Sequence, residues 1–327
     1  MTTARSNNPQ KRFTALLAAV LLAALLGSAV AQDDYPNERL NWTIAFGPGG
    51  GNDIMSRTLI EILDQYELYP PNVVATNREG GSGAVGWGYL YSQAGDPYQI
   101  SSTSGSFITT PLQADTPWHP TDFTPIAMLA SDDLVLLVQG GSDIDSLEGF
   151  IETAREERLS IGGIGAVNVD FIVPTLLADR AGFEFDYVSF NAAGELNTAL
   201  LSGSLDAIVS NPGEILGLLE SGDMKALGYS GVSTPEALGD IPTFGDVGYP
   251  IGISMPRGLI MAPDVSPEVQ QWWIETMQQV VETPEWNEYI TNNLLTENIE
   301  YGDDFMDSLV ETMGAFETIL REQGAIE

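Results

Sequence analysis

The sequence contains no cysteine and a single histidine. Without cysteine, the chain has no disulfide, no thiolate nucleophile, no cysteine-based metal site and no lipid-modified cysteine. His119 lies in the loop-like segment "PWHP", which is a weak setting for a general base. The sequence also has no GxSxG motif, so a nucleophilic triad has little support. We therefore expect a protein that is not an enzyme and that holds no cofactor or metal.

Basic residues are scarce: 12 lysines and arginines face 46 acidic residues, for a net charge of −34. Nucleic acid and anionic membranes are poor partners for such a surface. A solvated acidic surface suits a salty environment in which charge repulsion is screened. We take a halophilic source as a hypothesis.

The first 31 residues have the pattern of a secretory signal peptide. Three basic residues precede a largely apolar run over residues 16–30, and Ala29-Val30-Ala31 before Gln32 matches an A-x-A cleavage site. Cleavage near Ala31/Gln32 would leave a net charge of −37 on 296 residues. No later stretch reaches ~18 uninterrupted apolar residues. We expect a soluble, monomeric, periplasmic protein.

Apolar strands alternate with amphipathic helices along the rest of the chain, which predicts a parallel α/β architecture. The alternation restarts near residue 132 and returns to the first unit near residue 255. We predict a discontinuous first domain (32–131 and 255–327) and a continuous second domain (132–254). Ser266-Pro267-Glu268 predicts a capped helix start, and Asp303-Asp304 predicts another. A small ligand is expected between the domains.

Three polar loops follow strands of the first domain. The first is Pro48, Gly49, Gly50, Gly51, Asn52 and Asp53; the second is Gly81, Ser82 and Gly83; the third is Thr103, Ser104, Gly105 and Ser106. Glycines expose backbone amides, and a helix N-terminus favours an anion at the same place. The alternative is that each loop is only a tight or polar turn.

The second loop lies within a literal GxGxxG, residues 81–86. A dinucleotide site would require an acidic residue about 20 positions later, but that region is "SSTSGS". The second domain adds Gly165, Ala166, Val167 and Asn168, and then Phe190, Asn191, Gly194 and Glu195. We predict that these loops bind the ligand, with Phe190 packing on it; the alternative is helix caps and core. The turn after the next strand, residues 210–214, offers the Asn211 side chain and backbone amides as uncharged donors, with the same alternative.

Acidic pairs elsewhere have simpler interpretations. We interpret Asp132-Asp133 as surface charge and Asp303-Asp304 as a helix start. Asp53 and Arg57 are spaced i, i+4 and are expected to pair on one helix.

Several segments resemble the extracytoplasmic receptors of tripartite tricarboxylate transporters, the Bug family. They are "GPGGGNDIMSR", "NREGGSGAVGWGYL", "STSGS", "VSFNAAGELNTALLSGSLDAIVS", "MKALGYSG" and "RGLIMAPDVSPEVQQWWIETMQQVVETPEW". "GGSGAV" and the "RGL…QWW" block are most similar to citrate-type receptors. Asn52, where Thr or Phe is frequent, and "FNAAGE", where "Y.G.G" is usual, depart from the family pattern.

The resemblance implies a two-domain periplasmic binding protein fold (type II, Venus-flytrap) that closes on a carboxylate in the interdomain cleft. The implied ligand loops are 48–53, 80–83, 103–106, 165–168 and 190–195. It also implies a permease partner with one large and one small membrane subunit. A citrate-like tricarboxylate is favoured over a C4-dicarboxylate or an aromatic acid. Two less favoured hypotheses are a nucleotide-dependent enzyme and a receptor that hands its ligand to a signalling protein.

Overall fold

The computed structural model describes residues 35–166, 168–251, 253–322, 324 and 326. The predicted signal peptide, its cleavage site and Val167 lie outside these residues. Within them, no helix combines the length and the apolar composition that a membrane crossing needs. The elements are β1 (Leu40–Ile44), α1 (Gly51–Gln65), β2 (Val73–Asn77), α2 (Ala84–Tyr91), β3 (Gln99–Ser102), α3 (Gly105–Thr109), β4 (Thr124–Asp132), β5 (Val135–Gln139), α4 (Leu147–Glu156), β6 (Leu159–Ile164), α5 (Val169–Ala181), β7 (Phe185–Phe190), α6 (Ala193–Leu201), β8 (Ala207–Ser210), α7 (Leu216–Glu220), β9 (Met224–Tyr229), β10 (Met255–Met261), α8 (Pro267–Val281), α9 (Pro284–Asn292), β11 (Thr296–Tyr301) and α10 (Gly302–Glu322).

Six strands form the first sheet, in the order β11-β4-β10-β3-β1-β2. β1 pairs in parallel with β2 and β3, as the alternation of strands and helices predicts. β10 runs antiparallel to β3 and β4, and β11 runs antiparallel to β4. The prediction of a parallel sheet is therefore right for three strands and wrong for the other three, which reach the sheet without a helical crossover from a neighbour.

Five strands form the second sheet, in the order β7-β6-β8-β5-β9. β6 pairs in parallel with β7 and β8, whereas β5 pairs antiparallel with β8 and β9. The chain passes from the first sheet to the second after Asp132 and returns at Met255. Both sheets belong to one compact unit, residues 38–327. The domain boundaries proposed from the sequence remain a prediction.

Aromatic packing supports the loops that follow β1 and β2. The Phe107 ring stacks on Trp118 with centroids 5.6 Å apart, and Trp87 meets Phe107 edge-on at 5.2 Å. A Cβ at Gly86 would lie 2.6 Å from Ala45 Cα, so this glycine lets α2 pack directly on the end of β1. The start of α2 is thereby held against the first sheet.

The predicted helix start at residues 266–268 is confirmed. Ser266 Oγ accepts a hydrogen bond from the Val269 amide, and Pro267 occupies the first helical position. α10 begins one residue before Asp303-Asp304, which lie in its first turn.

Candidate functional site

A narrow cleft that is open to solvent lies between the loops of the two sheets. Six lining residues are among those predicted to bind ligand: Gly50, Gly51, Asn52, Ser104, Asn168 and Asn191. The ten other lining residues are Phe46, Gly47, Ile164, Asp170, Ala192, Ala193, Asn211, Glu214, Met255 and Arg257. Ala192 and Ala193 fall in the implied loop 190–195, Asn211 and Glu214 fall in the turn 210–214, and the remaining six were not predicted. The polar members of the second group include three charged side chains. The cleft is thus more strongly charged than the loop amides and hydroxyls alone would make it.

The first glycine loop brings the N-terminus of α1 to the cleft. Gly50 is the N-cap and Gly51 the first helical residue, and both line the cleft. Pro48 and Gly49 are exposed and lie outside the lining. Gly49 has a φ of 83°, a conformation that glycine adopts without the strain of a Cβ. The turn therefore places the N-terminus of α1 in the cleft, whereas Pro48 and Gly49 at the tip of the turn are exposed to solvent.

Asp53 stabilises the first glycine loop through its hydrogen bonds. Its carboxylate accepts hydrogen bonds from the Gly49 amide, Arg57 Nε and Asn77 Nδ2. Burial by itself would raise the pKa of Asp53, but the hydrogen bonds from Arg57, Gly49 and Asn77 outweigh it and lower the pKa. The predicted Asp53–Arg57 pair is confirmed at 2.9 Å. The carboxylate is fully engaged in this network and is not part of the cleft lining.

The second glycine loop touches the second sheet at the rim of the cleft. Ser82 Oγ accepts a hydrogen bond from the Ala166 amide at 3.2 Å. Gly81, Ser82 and Gly83 all have positive φ. Gly83 packs over the Trp87 ring, where an added Cβ would lie 2.1 Å from a ring carbon. These three residues do not line the cleft; they join the loops of the two sheets.

The third loop carries two hydroxyls that have no hydrogen-bond partner among the described residues. Thr103 is anchored, since its Oγ1 accepts from the Gly258 amide and its carbonyl accepts from Asn52 Nδ2. Ser104 Oγ and Ser106 Oγ are buried and have no hydrogen-bond partner in the described part of the chain. Only Ser104 of this loop lines the cleft. Gly105 lies against the second sheet, and a Cβ there would approach Asn168 Oδ1 to 2.6 Å.

The loop after β6 contributes Asn168 to the cleft. Its Nδ2 donates to Asp170 Oδ2 at 2.8 Å, and its buried Oδ1 has no partner among the described residues. Gly165 is used structurally: its amide donates to the Phe190 carbonyl, and its own carbonyl accepts from the Tyr187 hydroxyl. Gly165 and Ala166 lie outside the lining.

In the loop after β7, Asn191 lines the cleft, as do Ala192 and Ala193 of the implied range 190–195, whereas Phe190, Gly194 and Glu195 do not. The Phe190 ring packs against the hydrophobic core of the second sheet. Gly194 and Glu195 are exposed in the first turn of α6. The predicted contact between Phe190 and a ligand therefore has no support in the lining of this cleft.

A buried ion pair joins β4 and β10, the two strands of the first sheet at which the chain leaves for the second sheet and returns from it. Arg257 Nη2 donates to Asp132 Oδ2 at 2.5 Å, with both side chains at most 3% exposed, and Asn211 Nδ2 donates to the same oxygen at 2.6 Å. Burial raises the pKa of Asp132 to about 6, although Arg257 opposes this. Asp133 is also buried and accepts from Ser254 Oγ. The interpretation of Asp132-Asp133 as surface charge was wrong, because both lie where the chain changes sheets.

Two further carboxyls line the cleft. Glu214 Oε1 accepts a hydrogen bond from the Gly51 amide at 2.5 Å, across the gap between the sheets. Burial raises the pKa of Glu214 to about 7, with Arg257 opposing the shift. Asp170 is 1% exposed, and burial raises its pKa to about 7 as well, against the hydrogen bond from the Ile164 amide. Three carboxyls thus surround one guanidinium.

The sequence contains weak indications that the charged residues of the cleft have a special role. Arg257 is a charged residue within the apolar strand "MPRGLIM", where burial without a partner would be costly. Glu214 and Asn211 follow β8 in the turn "NPGE". Among the described residues there is no cluster of three or more His, Asp or Glu side chains arranged to hold a metal ion. The cleft offers hydrogen-bond donors, acceptors and charge for binding a small polar molecule.

Comparison with known proteins shows the family to which this chain belongs. The model of the tripartite tricarboxylate transporter family receptor matches residues 60–324, which include most of the described chain. The chain belongs to this family. Receptors of this family bind small carboxylates and work with membrane permease subunits, and they are not enzymes.

Individual relatives are more distant. Protein BugT of Bordetella pertussis is 26% identical over 260 residues, covering 77% of this chain and 78% of BugT. MatC from Rhodopseudomonas palustris with bound malate has a TM-score of 0.78 at 17% identity, covering 88% of this chain and 100% of its own. An R. palustris protein with adipate has a TM-score of 0.83 at 19% identity, and the match covers 89% of this chain and 99% of that protein. The fold is that of the two-domain periplasmic binding proteins, as predicted.

Proposed function

We propose that this chain is a periplasmic receptor that captures a small carboxylate in the cleft and delivers it to a permease with one large and one small membrane subunit. The observation that carries the proposal is the convergence of loops from both sheets on one cleft. Ser104 Oγ and Arg257 Nε are buried there without hydrogen-bond partners in the described chain. Both can donate to a carboxylate.

Two observations bear on the identity of the acid. The segments 80–85 and 257–273 are similar to citrate-type receptors, which favours a tricarboxylate. Two proteins of the same fold are described with dicarboxylates, malate and adipate. Small di- and tricarboxylates are therefore the first compounds to test.

Thermal shift tests the proposal on the purified chain without residues 1–31. The panel contains mono-, di- and tricarboxylates, measured near ~1 M salt to screen charge repulsion. A ligand that binds only the folded state raises its stability by about 2.7 kcal/mol at 100 times its Kd, so at least one acid should raise the Tm clearly. A nucleotide and a neutral sugar serve as negative controls. If no carboxylate raises the Tm, the proposal is wrong.

Salt should accelerate association of an anionic ligand. After removal of residues 1–31 the chain carries a net charge of −37, which repels a carboxylate at long range. Raising salt from ~0.05 to ~1 M shortens the Debye length to ~3 Å and should increase the association rate several-fold. Stopped-flow fluorescence measures this rate. A rate that falls with salt would show that the local field at the cleft attracts anions.

A further inference from the structure

Glu214 occupies the place where the sequence predicts a ligand anion. It lies in the 3-10 turn Pro212–Glu214 of the second sheet, and its Oε1 accepts from the first amide of α1 on the first sheet. Such amides are unpaired within their own helix and favour a negative group. In this structure the protein supplies that group itself, so the Gly51 amide is already satisfied by Glu214.

The second carboxyl oxygen of Glu214 has no such partner. Glu214 Oε2 is buried, as is Asn168 Oδ1, and neither has a hydrogen-bond partner in the described residues. Both residues line the cleft. Above its pKa of about 7, the Glu214 carboxyl is ionised and only accepts hydrogen bonds, as the Asn168 amide oxygen always does. In that state both oxygens are satisfied only by a group that donates. A ligand made solely of ionised carboxylates offers no donor.

The charge of the cleft leads to the same conclusion. Glu214, Asp170 and Asp132 face the single guanidinium of Arg257, whose Nη2 is already bonded to Asp132. Burial is the main cause that raises the pKa of Glu214, and the nearby charge of Asp132 adds to it, so a positive group beside Glu214 would favour its ionised form. Each further carboxylate adds like charge, whereas an ammonium group reduces the excess.

We propose that Glu214 determines the specificity of the cleft by selecting carboxylates that also carry a hydrogen-bond donor, an ammonium in preference to a hydroxyl. Glu214 Oε1 holds the Gly51 amide, and Oε2 accepts from the ligand. Ser104 and Arg257 donate to the ligand carboxylate. This inference rests on the proposed function, because it names the kind of carboxylate that the same cleft binds.

Matched ligands test the inference directly. Succinate, L-malate and L-aspartate share one four-carbon diacid skeleton and differ only in carrying no donor, a hydroxyl or an ammonium. A buried charged acceptor left without a partner costs enough to weaken binding about tenfold or more. Isothermal titration calorimetry at pH ~8, where Glu214 is mainly ionised, should therefore give a Kd at least ~10-fold lower for aspartate than for succinate, with malate between them. The same comparison with glutarate, 2-hydroxyglutarate and glutamate covers a longer ligand.

The variant Glu214→Gln should reverse this preference. Its Oε1 can still accept from Gly51, but its amide nitrogen donates, so succinate should gain affinity and aspartate should lose it. Glu214→Ala frees the Gly51 amide for a ligand carboxylate and should also favour succinate. Glu220→Gln, an exposed change in α7 of the same sheet, should leave all three affinities unchanged. Circular dichroism checks that each variant is folded.

The outcomes separate the inference from the proposed function. Preference for donor-bearing acids in the wild type, reversed by Glu214→Gln, supports the inference. If succinate binds the wild type as tightly as aspartate, or if the Glu214 variants keep the wild-type order, the inference is overturned while the carboxylate receptor stands. If no carboxylate binds the wild type, the proposed function itself fails.

Discussion

The variant Arg257→Met should lower the free energy of unfolding by about 3–5 kcal/mol, because it leaves a buried carboxylate without its counter-ion. Arg257 and Asp132 are both nearly fully buried, and their ion pair joins β10 to the end of β4 where the chain changes sheets. Urea denaturation at pH 8 measures the loss. Arg180→Met removes an exposed arginine at the end of α5 and should change stability by no more than about 0.5 kcal/mol.

The loss should depend on pH. The pKa of Asp132 in the folded protein, about 6, lies above the ordinary value of 3.8, so the cost of its burial is absent at low pH and is fully present above pH ~6. Removing Arg257 removes the attraction that holds this pKa down, so the pKa rises further. Arg257→Met should therefore destabilise the protein more at pH 8 than at pH 5, where the carboxyl can be protonated.

A double variant distinguishes the lost ion pair from lost packing. Arg257→Met combined with Asp132→Asn removes both charges and should recover most of the lost stability at pH 8. An equal loss at pH 5 and pH 8, without recovery in the double variant, would mean that Arg257 contributes mainly through the packing of its side chain.

The variant Gly105→Leu should weaken ligand binding by roughly 10- to 100-fold, the consequence of ~1–3 kcal/mol of overpacking. Gly105 begins α3 on the first sheet and lies against the loop and helix start at residues 168–169 of the second sheet. A Cβ there would approach Asn168 Oδ1 and Val169 Cγ2 to 2.6 Å. A leucine side chain should hold the two sheets apart beside Ser104.

The Gly105→Leu substitution should impair the approach of the two sheets around the ligand more than it impairs folding. The φ of Gly105 is not in the left-handed region, so leucine imposes no backbone strain there. Gly217→Leu is the matched control, because a Cβ at Gly217 has no atom within 4 Å. Calorimetry with the acid that gives the largest thermal shift compares the two variants. Wild-type affinity in Gly105→Leu would show that the ligand-bound form does not need this close approach.

The parallel part of the fold is predictable because its signals are local. Each apolar strand ends in glycines and leads into an amphipathic helix, so β1, α1 and β2 follow from a short window of sequence. β4 and β11 give weaker signals. β11 is the polar segment "TENIEY", and its antiparallel pairing with β4 joins residues about 170 positions apart. Such pairing is decided by tertiary packing, which a local pattern does not show.

The sequence indicates which loops line the cleft, but it does not show the charged side chains that lie among them. Because loops after neighbouring parallel strands gather at one edge of a sheet, Gly51 and Ser104 could be expected together. Asn168 follows a strand of the second sheet, and its place beside them depended on the expectation that a ligand binds between the two domains. The contact between Glu214 and the Gly51 amide joins residues 163 positions apart in different sheets. The burial of Asp132 depends on Arg257, which is also remote in sequence. Adjacent acids such as Asp132-Asp133 look like surface charge until their partners are known.

A crystal structure of the chain without residues 1–31, bound to the acid that gives the largest thermal shift, would show directly whether the cleft between the sheets binds a carboxylate. We expect the acid in the cleft between the sheets, with a carboxylate hydrogen-bonded to Ser104 Oγ or to the guanidinium of Arg257. We also expect a donor group of the ligand to be hydrogen-bonded to Glu214. An acid bound elsewhere on the molecule, or bound in this cleft through the exposed loop residues alone, would contradict the proposed site.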